Sequence, residues 1–151
     1  MSKETDIIDA IVSDIAGITG AGYSQDLSGA DRVVIGETFQ PHRVPGVYVF
    51  PGAVRSSQGA TTVLNKYDRQ FMVQIEGWVA PENDSPKSAL YAAMNLAADV
   101  RKALETNRGL SSLVHDVSID MMSYDGAELQ RPGLGAVILQ MMVTFSERAG
   151  A

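Results

Sequence analysis

Arg69-Gln-Phe-Met-Val-Gln-Ile-Glu-Gly-Trp-Val79 opens the stretch that decides the fold, which runs on to Asn107. Phe71, Val73, Ile75 and Val79 alternate along it, with Gly77 interrupting the same face. A period of two sends those side chains to one side of a strand, into a core, and sends Gln74 and Glu76 to the other, toward water or a partner. Pro81 to Pro86 breaks the strand. Asp84 or Ser85 is placed to cap the following helix, and Pro86 suits its first turn, where a free N–H is not needed. Leu90, Ala93, Leu96, Ala97, Val100 and Leu104 then make an apolar stripe at helical spacing. The patterns predict one sheet face and one helix face that cover each other.

The chain has 151 residues, which fits a single domain over 1–151. Its 45% apolar content is enough for a packed core, so disorder does not dominate. The absence of cysteine excludes disulfides and thiolate metal sites and fits folding in a reducing cytosol. A net charge of −6 gives no broad attraction to nucleic acid, which argues against groove reading. Met-Ser-Lys-Glu-Thr-Asp at the N-terminus lacks the basic-then-apolar pattern of a signal peptide. No apolar run approaches the roughly 20 residues of a membrane helix. A soluble, cytosolic product is expected.

Residues 3–18 read as a first helix, with Ile7, Ile8, Ile11, Val12, Ile15 and Ile18 on its apolar face. Glu4, Asp6, Asp9 and Asp14 lie mostly opposite or in the first turn, where the helix dipole favours acids. Gly17, Gly20 and Gly22 stop it. Arg32-Val-Val-Ile-Gly36 reads as a short strand, and Pro41 and Pro45 make the next segment extended and irregular. Gly46-Val-Tyr-Val-Phe50 reads as another strand, ended by Pro51-Gly52. Residues 51–66, rich in glycine, serine and threonine, read as a long hairpin arm rather than a tight turn. No acid occurs between Thr38 and Tyr67, whereas Arg43, Arg55 and Lys66 do, so the arm reads as a locally positive projection on an acidic chain, either a solvated hairpin or a contact arm that reaches an acidic neighbour.

Beyond the central helix, Asn107-Arg-Gly ends the turn and Leu110 and Leu113 pack locally. Val117, Ile119 and Met121 alternate with Asp116, Ser118 and Asp120 as a half-exposed strand. Asp125-Gly126 and Arg131 to Gly135 bound a loop, and Ala136 to Phe145 form the last strand. Both faces of that strand are partly apolar, which places it centrally or under a second cover. Without regular βαβ alternation, the order predicts an α+β fold. Its sheet would be mainly antiparallel with about four strands, its two amphipathic helices packed on one face.

Candidate chemistry is sparse. His42 and His115 lie far apart with no metal-binding spacing. Asp116 and Asp120 share a strand face, but four positions along a strand span roughly 13 Å, too far for a carboxylate dyad. The glycines of Gly17-Ile-Thr-Gly-Ala-Gly22 follow a helix, the reverse of the order a dinucleotide site needs, and Gly133-Leu-Gly135 precedes a strand. Both read as turn glycines. No serine sits in a nucleophile elbow. Trp78 reads as packing at the strand end, and the pairs Met121-Met122 and Met141-Met142 as core or interface filler. No catalytic, cofactor-binding or metal site is expected, and no enzyme.

The strand RQFMVQIEGWV, the helix ALYAAMNLAADVRKALETN with its following Gly-Leu turn, and the closing strand GAVILQMMVTFSER come after an N-terminal helix and a proline-containing strand with a long arm. In that order they resemble the tail terminator and minor tail (tail-completion) proteins of long-tailed bacteriophages. The resemblance covers most of the chain and is weakest over residues 19–45. It implies a homohexameric ring that caps the tail tube, ends tube polymerisation, and presents a docking surface to the neck or head-to-tail connector. In a contractile tail the ring would also meet the sheath. No cofactor, membrane or turnover is implied, DNA would only pass through the lumen, and the protein would sit in the virion at the head–tail junction. A closed ring needs unlike patches that meet on neighbouring subunits. Arg43, Arg55 and Lys66 of the basic arm, and Asp6, Asp9 and Asp14 of the acidic helix, are the candidate interface residues. An acidic lumen would also keep passing DNA from sticking. A neck or head-completion protein is the nearest alternative. A small enzyme or a ligand-binding module is the reading from another class.

Overall fold

The computed structural model describes residues 2–36, 44–56, 66–85, 87–124 and 134–148, with the backbone alone for Lys66 and Arg148. The elements in order are α1 (Lys3–Ala16), β1 (Val33–Ile35), β2 (Gly46–Ser56), β3 (Lys66–Val79), α2 (Ser88–Thr106), β4 (Asp116–Ser123) and β5 (Gly135–Arg148). The chain is α+β; the described residues form two helices and one five-stranded mixed sheet in the order β1-β2-β3-β5-β4. The expectation of about four mainly antiparallel strands needs correcting at one edge. There β1 pairs parallel to β2, Val33 beside Val47 and Ile35 beside Val49, while the other pairings are antiparallel. The short β1 run was legible, but three residues carry no signal for the direction of pairing.

The odd positions of β3 face the core as their alternation predicts. Phe71, Val73, Ile75 and Val79 lie beneath both helices in one cluster with Leu139, Met141 and Val143 of β5. β5 is central, flanked by β3 and β4, which explains its two partly apolar faces. Gly77 is the gap that lets α2 down onto the sheet. A Cβ there would come within 2.8 Å of Leu96 Cδ2 and 3.2 Å of Val137 Cγ1. Leu96 is fully buried over it. Truncating a leucine at such a site costs about 2–5 kcal/mol.

α1 is capped at both ends. Ser2 Oγ accepts from the Thr5 amide at 3.1 Å, Glu4 and Asp6 sit in the first turn, and the Gly17 amide donates to the Ser13 and Asp14 carbonyls. Its buried face is Ile7, Ile8, Ile11 and Ile15, and Ile18 is buried just beyond its end. α2 starts differently from expectation. Neither Asp84 nor Ser85 caps it; the N-cap is Lys87, with no side-chain hydrogen bond. Ser88 Oγ instead accepts the amides of Glu82 and Asn83 at 2.9 and 3.2 Å, so the hydroxyl holds the incoming turn. Pro86 lies outside the described residues.

Two further expectations change. β2 does not stop at Pro51-Gly52 but continues to Ser56, with an irregular register between Pro51 and Val54. β1 pairs with β2 only as far as Val49, so Pro51 lies where the outer edge of β2 has no partner among the described residues, and its missing N–H costs no ladder bond to them. Leu90 belongs to the expected inward stripe of α2 but is 44% exposed. Ala92, Ala93 and Ala103 take inward positions, and this face of small residues turns Leu90 outward.

Candidate interaction surfaces

The far end of β2, β3 and β5 is tied by one arginine. Arg69 Nε donates to Glu147 Oε1 of β5 at 3.0 Å, and the same guanidinium donates to Ser56 Oγ of β2 and lies 5.4 Å from the Tyr67 ring centroid. Arg55 is exposed, and its Nε donates to Gln70 Oε1 across the β2–β3 pair at 3.0 Å. Lys66 opens β3 opposite Arg148. Arg43 and residues 57–65 lie outside the described residues. Every residue from Pro51 to Ser56 is exposed.

Of the three candidate acids on α1, Asp9 is exposed and Asp6 half-exposed. Asp14 is half-buried, and its carboxylate accepts from Asn107 Nδ2 at 3.0 and 3.2 Å. Burial pushes its pKa above the ordinary carboxylate value, and the Asn107 hydrogen bond pulls the other way. Asn107 Oδ1 also accepts the Ser111 amide at 2.9 Å. This clamp steadies Leu110, Ser111 and Ser112, three successive residues with positive φ (45°, 57° and 73°). Asp14 therefore ties α1 to the turn that follows α2, a role its place on the polar stripe did not reveal.

His115 lies at the start of β4, and the tertiary structure gives it neighbours that the linear spacing did not. Its Nε2 is 2.6 Å from Ser146 Oγ, and Ser146 donates to Asp68 Oδ1 at 2.5 Å. The three come from three regions of chain, so no local motif announced them. The order of bonds is not that of a nucleophile. The Ser146 proton points to the carboxylate, which leaves Nε2 as a donor to Oγ rather than as a base. Asp116, beside it, forms a two-point pair with Arg108 at 2.8 and 2.9 Å, which holds its carboxyl below the ordinary range. Asp120 accepts from Ser118 Oγ at 2.8 Å. Among the described residues, no group of three or more His, Cys, Asp or Glu is placed to hold a metal ion.

No protein-family model and no curated protein matches this chain.

Asp99 carried no signal in the linear pattern. It lies on the inner side of α2 at 5% exposure, and its two oxygens accept the amides of Ser24 and Gln25 at 3.0 and 2.8 Å. Lys102, one turn on, donates to the Gly22 carbonyl at 2.6 Å and lies over the Tyr23 ring. Together they latch the segment after α1 to α2. Next to it, an open polar cleft of about 430 Å³ runs past Ser24, Asp26, Ser28 and Arg32. Arg32 Nη1 donates to the Pro45 carbonyl, so its charge is partly spent within the chain.

On the second sheet face, Tyr48, Trp78 and Ala136 are buried in a small cluster with Val34, Phe50 and Leu134 against them. Trp78 thus packs at the strand end, as expected. The methionine pairs split: Met141 is buried in the core, whereas Met121 is 49% exposed. The outward side of α2 holds the other concentration of exposed apolar surface, with Leu90 44%, Tyr91 52% and Met94 43% exposed. No helix among the described residues is long and apolar enough to cross a membrane.

Proposed function

We propose that this protein is a structural component of a bacteriophage tail, a ring-forming terminator that caps the tail tube, ends its polymerisation and offers a surface to the neck or connector. The observation that carries this reading is the stiff base under the β2–β3 projection. Ser56, Arg69 and Glu147 link three strands at its root, while every residue from Pro51 to Ser56 is exposed in the single chain. On this reading β2 and β3 are the base of a long hairpin arm, with the exposed run of β2 along its side and a basic end on an acidic molecule. Edge strands this open are normally covered or blunted, so an arm of this kind suits a contact with another subunit or with the tube end. The acidic outer side of α1, with Asp6 and Asp9, is the unlike patch that a head-to-tail ring requires.

The test is native mass by sedimentation, alone and with tube protein, for the wild type and for an Arg55→Glu, Lys66→Glu double variant. The expected result is a ring on or with the tube for the wild type, and weakened ring formation or tube capping for the variant. Intact rings and normal head–tail joining by the variant would remove the arm from the interface. Co-purification with portal rather than tube protein would move the protein to the neck.

A further inference from the structure

The outward side of α2 is unusual for a helix that faces solvent. Between Lys87 and Asp99 it holds no acid and no further base, and its exposed positions are Leu90, Tyr91, Met94, Asn95 and Ala98. Leu90, Tyr91 and Met94 are roughly half exposed, and Lys87 and Arg101 close the stripe at its two ends. Those cations lie about 21 Å apart along the helix axis. Glu105 follows one turn later. The apolar centre calls for a cover, and the charged ends restrict what that cover can be. Two copies of this stripe do not suit each other. Antiparallel pairing centred on Met94 sets Lys87 against Arg101 of the second copy, and parallel pairing sets each cation against itself. The matching surface must be different from the stripe and acidic.

Edge strand β4 is such a surface. It is the outermost strand of the sheet on that side, so one of its backbone edges has no strand partner among the described residues. Met121 stands there 49% exposed, directly after the exposed Asp120 at the register shift, with Asp116 earlier on the same strand. Asp116 is already matched by Arg108, which leaves Asp120 as the acid not matched by a described basic side chain.

We propose that the outward side of α2 docks on edge strand β4 of a second copy of this chain, Met94 against Met121 and the stripe's cations toward Asp120. Each chain carries both halves of the contact once, so the contact propagates head to tail. The proposal rests on the ring reading above and adds a second contact between neighbouring subunits, beside that of the arm with α1. The apolar patch is only a few hundred Å², within the range of ordinary monomers and below the ~800 Å² per partner of a stable pair. One contact is therefore weak and reversible, and closure of several contacts supplies the stability.

The chain has no cysteine, which makes thiol trapping clean. Met94→Cys and Met121→Cys are made singly and together, with Ala30→Cys in the exposed turn before β1 as the measure of random collision, and treated with a short thiol-to-thiol cross-linker. The double variant is expected to give a ladder of multimers on a denaturing gel. A mixture of the two single variants should stop at dimers, and each alone should stay at the Ala30→Cys background. Adding Lys87→Glu and Arg101→Glu to the double-cysteine chain should abolish the ladder, and further adding Asp120→Lys should restore it. A missing ladder, equal cross-linking by Met94→Cys alone, or indifference to the charge reversals overturns the proposal. Sedimentation of the untreated wild type separates the two readings: rings without a 94–121 cross-link sink this contact and leave the ring standing, whereas no association with or without tube protein sinks both.

Discussion

Gly135 begins β5 beneath the first turn of α2. A Cβ there would stand 2.1 Å from the Ala89 carbonyl oxygen, a backbone atom that cannot swing aside. Gly135→Ala should therefore destabilise by about 3 kcal/mol, measured by urea denaturation, because helix and sheet must move apart. Tyr48 presents the opposite case. Its hydroxyl is buried with no hydrogen-bond partner among the described residues, and such a group costs about 1–3 kcal/mol. Tyr48→Phe should be neutral or stabilising in the isolated chain, and a loss of more than about 1 kcal/mol in the same measurement would show that the hydroxyl is satisfied. Asp14 gives a pH signature. Its folded pKa is raised, so the folded chain binds the proton more tightly than the unfolded chain does. Its contribution is most favourable below the ordinary carboxylate pKa and is lost as pH rises through the raised value. The Tm of the wild type relative to Asp14→Asn should fall as pH rises from about 3 to 6. Asp116 has the reverse sign: its lowered pKa favours the fold above the ordinary value, and that support fades as pH falls and as salt rises.

At the scale of elements, α2 does more than cover the sheet. It also holds the segment after α1, through Asp99 and Lys102. Asp99→Ala removes both acceptors, and hydrogen exchange at the Ser24 and Gln25 amides should accelerate selectively, with α1 and β3 amides left protected. Uniform acceleration across the chain would mean instead that Asp99 supports the whole fold. The alternation of β3 and the isoleucine face of α1 were plain in the sequence because each follows its element's own period. The start of α2 was not. Ser88 is a competent hydroxyl one residue into the helix, but its oxygen serves the preceding turn, and only the folded path of residues 82–88 decides that. The orientation of Leu90 was hidden for a related reason. An apolar residue at the margin of a stripe goes in or out according to how closely the helix approaches, and Gly77 and Gly135 set that approach.

For the whole molecule, α2's outer side, edge strand β4 and the run of β2 from Pro51 to Ser56 are exposed or at a sheet edge among the described residues. Association through such surfaces should depend on charge. On the proposed ring reading, sedimentation of the wild type with tube protein should show less association at high salt than at low, because exposed ion pairs between subunits would be screened. Salt-independent association would place the energy in apolar contact alone.

By itself the sequence determined the helices, the strands and the inward faces of β3 and β5, since these follow from local periodicity and from the backbone geometry that each period imposes. It also set the acidic chain against its basic arm. The tertiary structure decided the parallel docking of β1, the outward turn of Leu90, and the meetings of Asp99 with Ser24, Asp14 with Asn107, and His115 with Ser146 and Asp68. Each of those rests on groups distant in sequence, or on how closely two layers pack, and a local pattern has no term for either.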